Sequence, residues 1–422
     1  MKIHQRLENL GILIPEILLP KPDLDLKKWA VIACDQFTQD PAYWARTETF
    51  VGDAPSTLRL ILPEIYLGQA GQAQRIRGIH ETMGRYLSDT FRPPQSGLMY
   101  LERSTPYRKL RRGLLVAADL ERYDWKKDAQ TLIRATEGTV EDRLPPRLAV
   151  RRGAPLECSH VILLIDDEKD TLMPALGDFV KALPAAYRTE LTAGSVAGWL
   201  LDQEEALTRI ADSLEALAQK SFLFAVGDGN HSLAAAKAVW EEYKARNPQD
   251  LGHPCRYALV EVENLYDSGL GFEPIHRLML GAKLEEVKNL LKKLPDSSFR
   301  RVETREELIA LVSAAGVSRI GLAAGTEYGL AEFRAQQLLT EHLQPLLDEF
   351  LAEKGPGYGI DYVHGQASVF AGNYRGVGLL LPPISRAGLF KTVAHRGPGP
   401  RKSFSLGEAE EKRFYLECRR LF

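Results

Sequence analysis

Between residues 222 and 243 the chain reads FLFAVGDGNHSLAAAKAVWEEY, and the change of pattern in its middle constrains the fold more than any other segment. Residues 222–226 are wholly apolar, as a buried strand requires. From Leu233 onward Ala236, Trp240 and Tyr243 recur at helical spacing, until Arg246-Asn247-Pro248 supplies a stop. Gly227-Asp228-Gly229-Asn230-His231-Ser232 therefore reads as a tight polar turn that delivers a strand into a helix N-terminus. Such an end presents unpaired backbone N–H groups and the positive pole of the helix dipole, and two glycines let a ligand approach the backbone. A phosphate or carboxylate is the natural guest. Asp228 and His231 add proton-transfer or metal-binding capacity. The same residues also suit a plain turn: Asn230 or Ser232 would cap the helix, and the segment matches neither the Walker A loop nor the dinucleotide fingerprint.

A chain of 422 residues exceeds the usual single core, and strand-like and helix-like segments alternate almost from end to end. The expected fold is α/β (mixed α+β), with mixed sheets flanked by helices in two intimately packed domains, residues 1–220 and 221–422. With 54 basic against 56 acidic residues there is no global field for nucleic acid or anionic lipid, so duplex DNA is not the expected partner. Residues 10–19 are apolar but interrupted by Pro15 and Glu16 and followed by Pro20, without a cleavage pattern, and no later stretch approaches a membrane span. A cytoplasmic protein acting on a small-molecule substrate, with no membrane association, is expected. Cys34, Cys158, Cys255 and Cys418 form no C-x-x-C pair, which argues against a disulfide scaffold or structural zinc. Cys34 beside Asp35 reads as a small buried thiol more readily than as a reactive one.

Further strands are expected at residues 29–34, 161–165, 360–363 and 376–381, and helices at 43–50, 201–218, 284–293, 305–315 and 338–353. Residues 97–123 predict two strands around the basic run Arg103 to Arg112, read as a solvated hairpin. Asp166-Asp167 reads as a strand exit or, alternatively, a magnesium site. After Ser405 the sequence predicts a strongly charged terminal helix.

Four separated segments together resemble the bacterial family catalogued as domain of unknown function 1015. Its Asp-Gly-His-His-Arg turn corresponds to Asp228-Gly229-Asn230-His231-Ser232, and its Pro-x-His-Arg-Leu element to Pro274-Ile275-His276-Arg277-Leu278. Its acidic segment ending in Asp-Arg-Leu corresponds to residues 136–144, and its Pro-x-Lys-Ser element to Pro400-Arg401-Lys402-Ser403. Asn230 and Ser232 depart from the family's histidine and arginine, so no guanidinium stands at the turn. A more distant, single-motif similarity is to the Gly-x-x-His-Arg turn of the ParB and sulfiredoxin superfamily, which includes free-serine kinases. That resemblance implies nucleotide binding or nucleotide-dependent phosphoryl transfer.

Phosphoryl transfer needs N–H and cationic donors around phosphate, often a divalent ion, and a base for the acceptor hydroxyl. Gly227, Gly229, Asn230 and Ser232 are the candidate cradle for ATP or ADP with Mg, His231 the contact to the moving phosphate, and Asp228 the metal or hydroxyl ligand. Arg277, Arg401 and Lys402 are candidates to neutralise phosphate charge. Asp35 and Glu137 are candidate bases, Glu137 alternatively an ion-pair partner of Arg143, and His276 a candidate acid or base. His364 is a further candidate for the same cleft. The other histidines, His160 among them, show no convincing chemical neighbour in sequence. Two alternatives stay open: a metal-dependent phosphoester hydrolase using Asp228, His231, Asp35 and His276, and a non-catalytic ligand sensor or partner-binding protein.

Overall fold

Short runs of leucine, isoleucine, valine and alanine, too short for helices and separated by turns, assemble the first part of the chain into one broad sheet. The computed structural model describes residues 1–38, 40–139, 144–158, 160–314, 318–334, 339–372, 374–383 and 385–422. The chain divides into two units, the first comprising Met1–Leu270, Ala387–Pro398 and Ala409–Phe422, the second Gly271–Arg386 and Gly399–Glu408. The boundary expected near residue 220 lies inside the first unit, where strands from both sides of it share one sheet.

That sheet contains β1 (Ile12–Leu13), β2 (Leu98–Ser104), β3 (Arg111–Asp119), β4 (Tyr123–Asp124), β5 (Ile133–Ala135), β6 (Ile162–Ile165), β7 (Tyr187–Glu190), β8 (Ser195–Leu201), β9 (Phe224–Asp228) and β10 (Tyr257–Asn264). Its order is β7-β8-β2-β3-β10-β6-β9-β5-β4, with β1 also on β3. Pairing from β7 to β10 is antiparallel, whereas β10 with β6, and β9 with β5 and β5 with β4, run parallel; β6 and β9 are antiparallel. The fold is thus mixed α/β, as the alternation of elements predicts.

Two helices frame the turn at residues 227–232: α1 (Leu144–Arg151) and α2 (Asn230–Arg246). Leu144 of α1 packs on Ala234 and Ala235 of α2, with Leu148 and Trp125 against them, so the alanines of α2 allow close approach of a second helix. Leu233, Ala236 and Trp240 of α2 instead enter the main core of the unit.

The hairpin forms and its tip, residues 106–109, is exposed, but Arg103 and Arg111 near its ends and most of the charged terminal segment are buried. Arg103 and Arg111 carry their guanidinium groups inside, where Arg103 reaches Glu261 at 2.9 Å and also Glu263, and Arg111 reaches Glu263 at 2.7 Å. Beyond a single 3-10 turn, Ala409–Glu411, the chain end forms strands: Phe414–Tyr415 pairs with Val31–Ile32, and Cys418–Arg420 with Leu156–Cys158. Arg413 bridges Glu261 (2.7 Å) and Glu417 (2.6 Å), and Arg419 pairs with Glu157 (2.6 Å). Each buried charge meets an opposite charge, mostly from a distant part of the chain, which is what makes its burial tolerable. Asp167, for its part, accepts from the N–H groups of Thr171 and Leu172 at 2.7 and 3.0 Å, so this pair marks a strand exit and caps the chain beyond it.

The second unit is an antiparallel sheet of β11 (His276–Leu280), β12 (Ser298–Val302), β13 (Ser318–Ala324), β14 (Glu327–Phe333), β15 (Gly359–Val363) and β16 (Gly376–Leu380), ordered β12-β14-β13-β16-β11-β15. Successive residues of β16 serve opposite faces: Leu379 joins the core under α3 (Leu284–Leu291) and α5 (Leu339–Glu353), Leu380 the core under α4 (Arg305–Ser313). Among the described residues no helix is long and apolar enough to cross a membrane.

Candidate functional site

The turn that dominated the sequence is built as its pattern predicts, with a structural reason for each glycine. Ile162 of β6 stands opposite Asp228 and Leu163 opposite Val226, so Gly227 is the extra residue of a β-bulge that re-aims Asp228 at the strand end. Gly229 lies at φ 79°, and a Cβ there would come within 2.9 Å of Val161 Cγ2. Its smallness serves chain packing against Val161 rather than ligand access. Helix α2 begins at once, with Gly229 as its N-cap and the Leu233 N–H on the Gly229 carbonyl at 3.0 Å. Neither Asn230 nor Ser232 is the cap. Asn230 Oδ1 is buried and meets no hydrogen-bond partner among the described residues.

Asp228 accepts from the Gly229 N–H at 2.9 Å and pairs through its other oxygen with Lys412 at 3.1 Å. Burial alone would raise this carboxyl; Lys412 and the nearby His160 outweigh it and hold Asp228 below the usual carboxylate range. His160 leads into β6, is 5% exposed, and bonds through Nδ1 to the Tyr415 hydroxyl at 2.8 Å. Its Nε2 stands 3.8 Å from Asp35 Oδ2 and has no hydrogen-bond partner among the described residues. Asp35 Oδ1 is held by Gln36 at 2.9 Å. The Tyr415 hydroxyl also accepts from the Cys34 N–H at 3.2 Å. Burial, reinforced by Asp35, pushes the Cys34 thiol up to about 12, so it stays a protonated, unreactive thiol as expected.

Glu137 lies two residues past Ala135, which is in parallel register with Val226, so it leaves β5 at the level where Asp228 leaves β9. Arg143, its expected partner, falls outside the described residues. Beside the turn a cavity of about 140 Å³ is lined by Ser232 and Leu233 at the start of α2, by Arg147 of α1, and by His160, Tyr415 and Cys34. Leu62, Met83, Leu156, Ala236 and Leu259 give it apolar walls. Arg147 is ion-paired with Glu64 on the same wall.

The remaining predicted residues belong to the second unit. His276 accepts from the Leu381 N–H at 3.1 Å through Nδ1, and burial, with Arg277 and His364 adding to it, pushes its pKa down to about 4. It is neutral near pH 7 and acts as a fixed acceptor in the sheet. Arg277 is fully buried: its guanidinium donates to the Ile275 carbonyl and, at 3.3 Å, to Gln344 of α5, and lies 5.1 Å from the Tyr362 ring. It ties β11 to α5, a structural task in place of the expected phosphate contact. Arg401 and Lys402 are exposed, Lys402 at φ 58°, on a turn anchored by Ser403, whose hydroxyl bonds to the Pro400 carbonyl at 2.6 Å.

A family model described as a protein of unknown function, DUF1015, matches residues 18–349, well over half of the chain. The chain belongs to the DUF1015 family. No curated protein matches it in sequence. Solved structures similar to this DUF1015 chain include a free serine kinase variant in complex with ADP (TM-score 0.41, 11% identity, covering 73% of this chain and 92% of that one). They also include a free serine kinase in complex with AMP (0.39, 11%, 73% and 92%). A third is C-terminally truncated SbnI from Staphylococcus aureus (0.36, 11%, 69% and 82%). At TM-scores near 0.4 the architecture rests on this chain's own sheet topology, not on these similarities.

The DUF1015 site does not fit a tightly held divalent ion. Both oxygens of Asp228, the expected metal ligand, are engaged, and no cluster of three or more His, Cys, Asp or Glu with ligand geometry stands among the described residues. Sequence reasoning missed His160, Lys412, Tyr415 and Arg147. The period-two run Phe414, Leu416, Cys418 was a strand signal within the charged terminus, and His160 is the polar residue leading into a fully apolar strand.

Proposed function

We propose that this protein binds a nucleotide at the start of α2 and transfers a phosphoryl group from it to a small-molecule hydroxyl. One observation carries this reading: the first turn of α2, whose N-cap is the side-chain-less Gly229, adjoins through Ser232 a cavity whose walls are apolar and whose polar groups include Arg147, His160 and Tyr415. The first-turn N–H groups and the dipole of a 17-residue helix favour phosphate, and the apolar walls favour a planar base. Lys412 holds Asp228 ionised and fixed beside the phosphate position, and Asp35 and Glu137 supply carboxylates for the acceptor side.

Calorimetric titration of the full chain with ATP, ADP and inorganic phosphate tests the proposal. Binding of ATP and ADP is expected, weakened tenfold or more by Ser232→Leu, which places an apolar branch at the junction of helix and cavity. His231→Ala is expected to weaken binding less. A parent protein that binds none of the three probes would falsify the proposal.

A further inference from the structure

We infer that His160 and Asp35 together form the seat of the acceptor hydroxyl, His160 as hydrogen-bond donor to its oxygen and Asp35 as the base that takes its proton. The inference rests on the phosphotransferase reading and assigns its acceptor side.

The Tyr415 hydroxyl accepts from the Cys34 N–H and stands 2.8 Å from His160 Nδ1, where its proton can be donated to the ring. Burial, with Cys34 and Asp35 adding to it, keeps that phenol protonated. With Nδ1 accepting from that hydroxyl, the ring hydrogen stands on Nε2. That position is buried without a hydrogen-bond partner among the described residues, which is costly unless a ligand atom meets it.

Asp35 Oδ2 stands 3.8 Å from Nε2, too far for a direct hydrogen bond and close enough for one oxygen to touch both. Such an oxygen must accept from nitrogen and donate to a carboxylate, and a hydroxyl group does both. A phosphate oxygen would meet the Asp35 charge with no hydrogen to offer. Gln36 holds Asp35 Oδ1, which fixes the carboxylate with Oδ2 toward the histidine. Val161, the next residue after His160, packs directly on Gly229, so this seat adjoins the phosphate end of the proposed site. In the transfer step the hydroxyl oxygen forms a bond to the terminal phosphorus of ATP. The bond from that phosphorus to the bridging oxygen breaks, leaving ADP, and the hydroxyl proton passes to Asp35 Oδ2.

The test combines ATP turnover by the full chain, with water and with glycerol as acceptors, with ATP titration and 15N NMR of the histidine rings. Expected are a resting His160 protonated at Nε2, a rise in KM for glycerol of at least tenfold in His160→Ala that exceeds any loss of ATP affinity, and partial recovery in His160→Gln, which restores a donor. Asp35→Asn should lower kcat at least a hundredfold and leave ATP binding intact. Because the NMR readout uses the parent protein, a poorly folding variant does not protect the inference: a resting proton on Nδ1 overturns it. So does ATP binding without transfer to either acceptor, which leaves nucleotide binding standing. A parent that binds no nucleotide removes both.

Discussion

Two segments meet at the candidate site, and they differ in how they carry their polarity. The turn at residues 227–232 is local: its bulge, its left-handed glycine and its helix start are set by neighbours in sequence and by one strand, β6. The segment Ala409–Phe422 is the reverse. Its charges are held by residues more than a hundred positions away, Lys412 by Asp228, Arg413 by Glu261 and Arg419 by Glu157, and it is buried only because those partners exist. A local motif can present a ligand site, but in this protein a distant, paired segment fixes its carboxylate.

The contrast can be broken most directly at Arg413. Arg413→Met leaves Glu417 buried without its cation and Glu261 with Arg103 alone, and is expected to cost about 3–5 kcal/mol in urea unfolding; a loss under about 1 kcal/mol would make the terminal segment peripheral. Next in size is Gly229→Ala, which forces a Cβ onto Val161 in a left-handed conformation, with an expected cost of about 2 kcal/mol by the same measurement.

The joint between the two segments is tested by a double-mutant cycle of Asp228→Asn and Lys412→Met, with an expected coupling of about 1–2 kcal/mol. Because Asp228 is held below its ordinary value of 3.8, the stability it adds is fully present above that value and lost as pH falls through the lower folded one. The urea midpoint of the parent should therefore drop more steeply below pH 4 than that of Asp228→Asn. The smallest effect is expected at Cys34: with its thiol at about 12, iodoacetamide should leave it unlabelled in the native protein at pH 8, read by mass spectrometry.

The fold was legible where one window of sequence contains the cause. Helical periods place α3, α4 and α5 within two residues of their observed ends, and the strand-turn-helix at β9 and α2 follows from apolar and glycine positions. The site was legible only in part. Asp228 and Asp35 are drawn into one neighbourhood with His160, but His160 needed Tyr415, 255 residues away, to acquire a chemical role. Residues 406–422 misled because charge density in a single window signals solvent exposure, whereas pairing across strands reverses that signal. His276 and Arg277 misled differently: a histidine beside an arginine reads as reactive until a backbone N–H and a tyrosine ring are seen to occupy them.

Phe414–Tyr415 and Val31–Ile32 lie side by side in space yet almost at opposite ends of the chain. The nascent polypeptide carries the glycine turn for some 180 residues before Lys412 and Tyr415 are made to complete its surroundings. Assembly of the site thereby waits on residues 412–415, and a chain lacking them offers its ligand an unfinished seat.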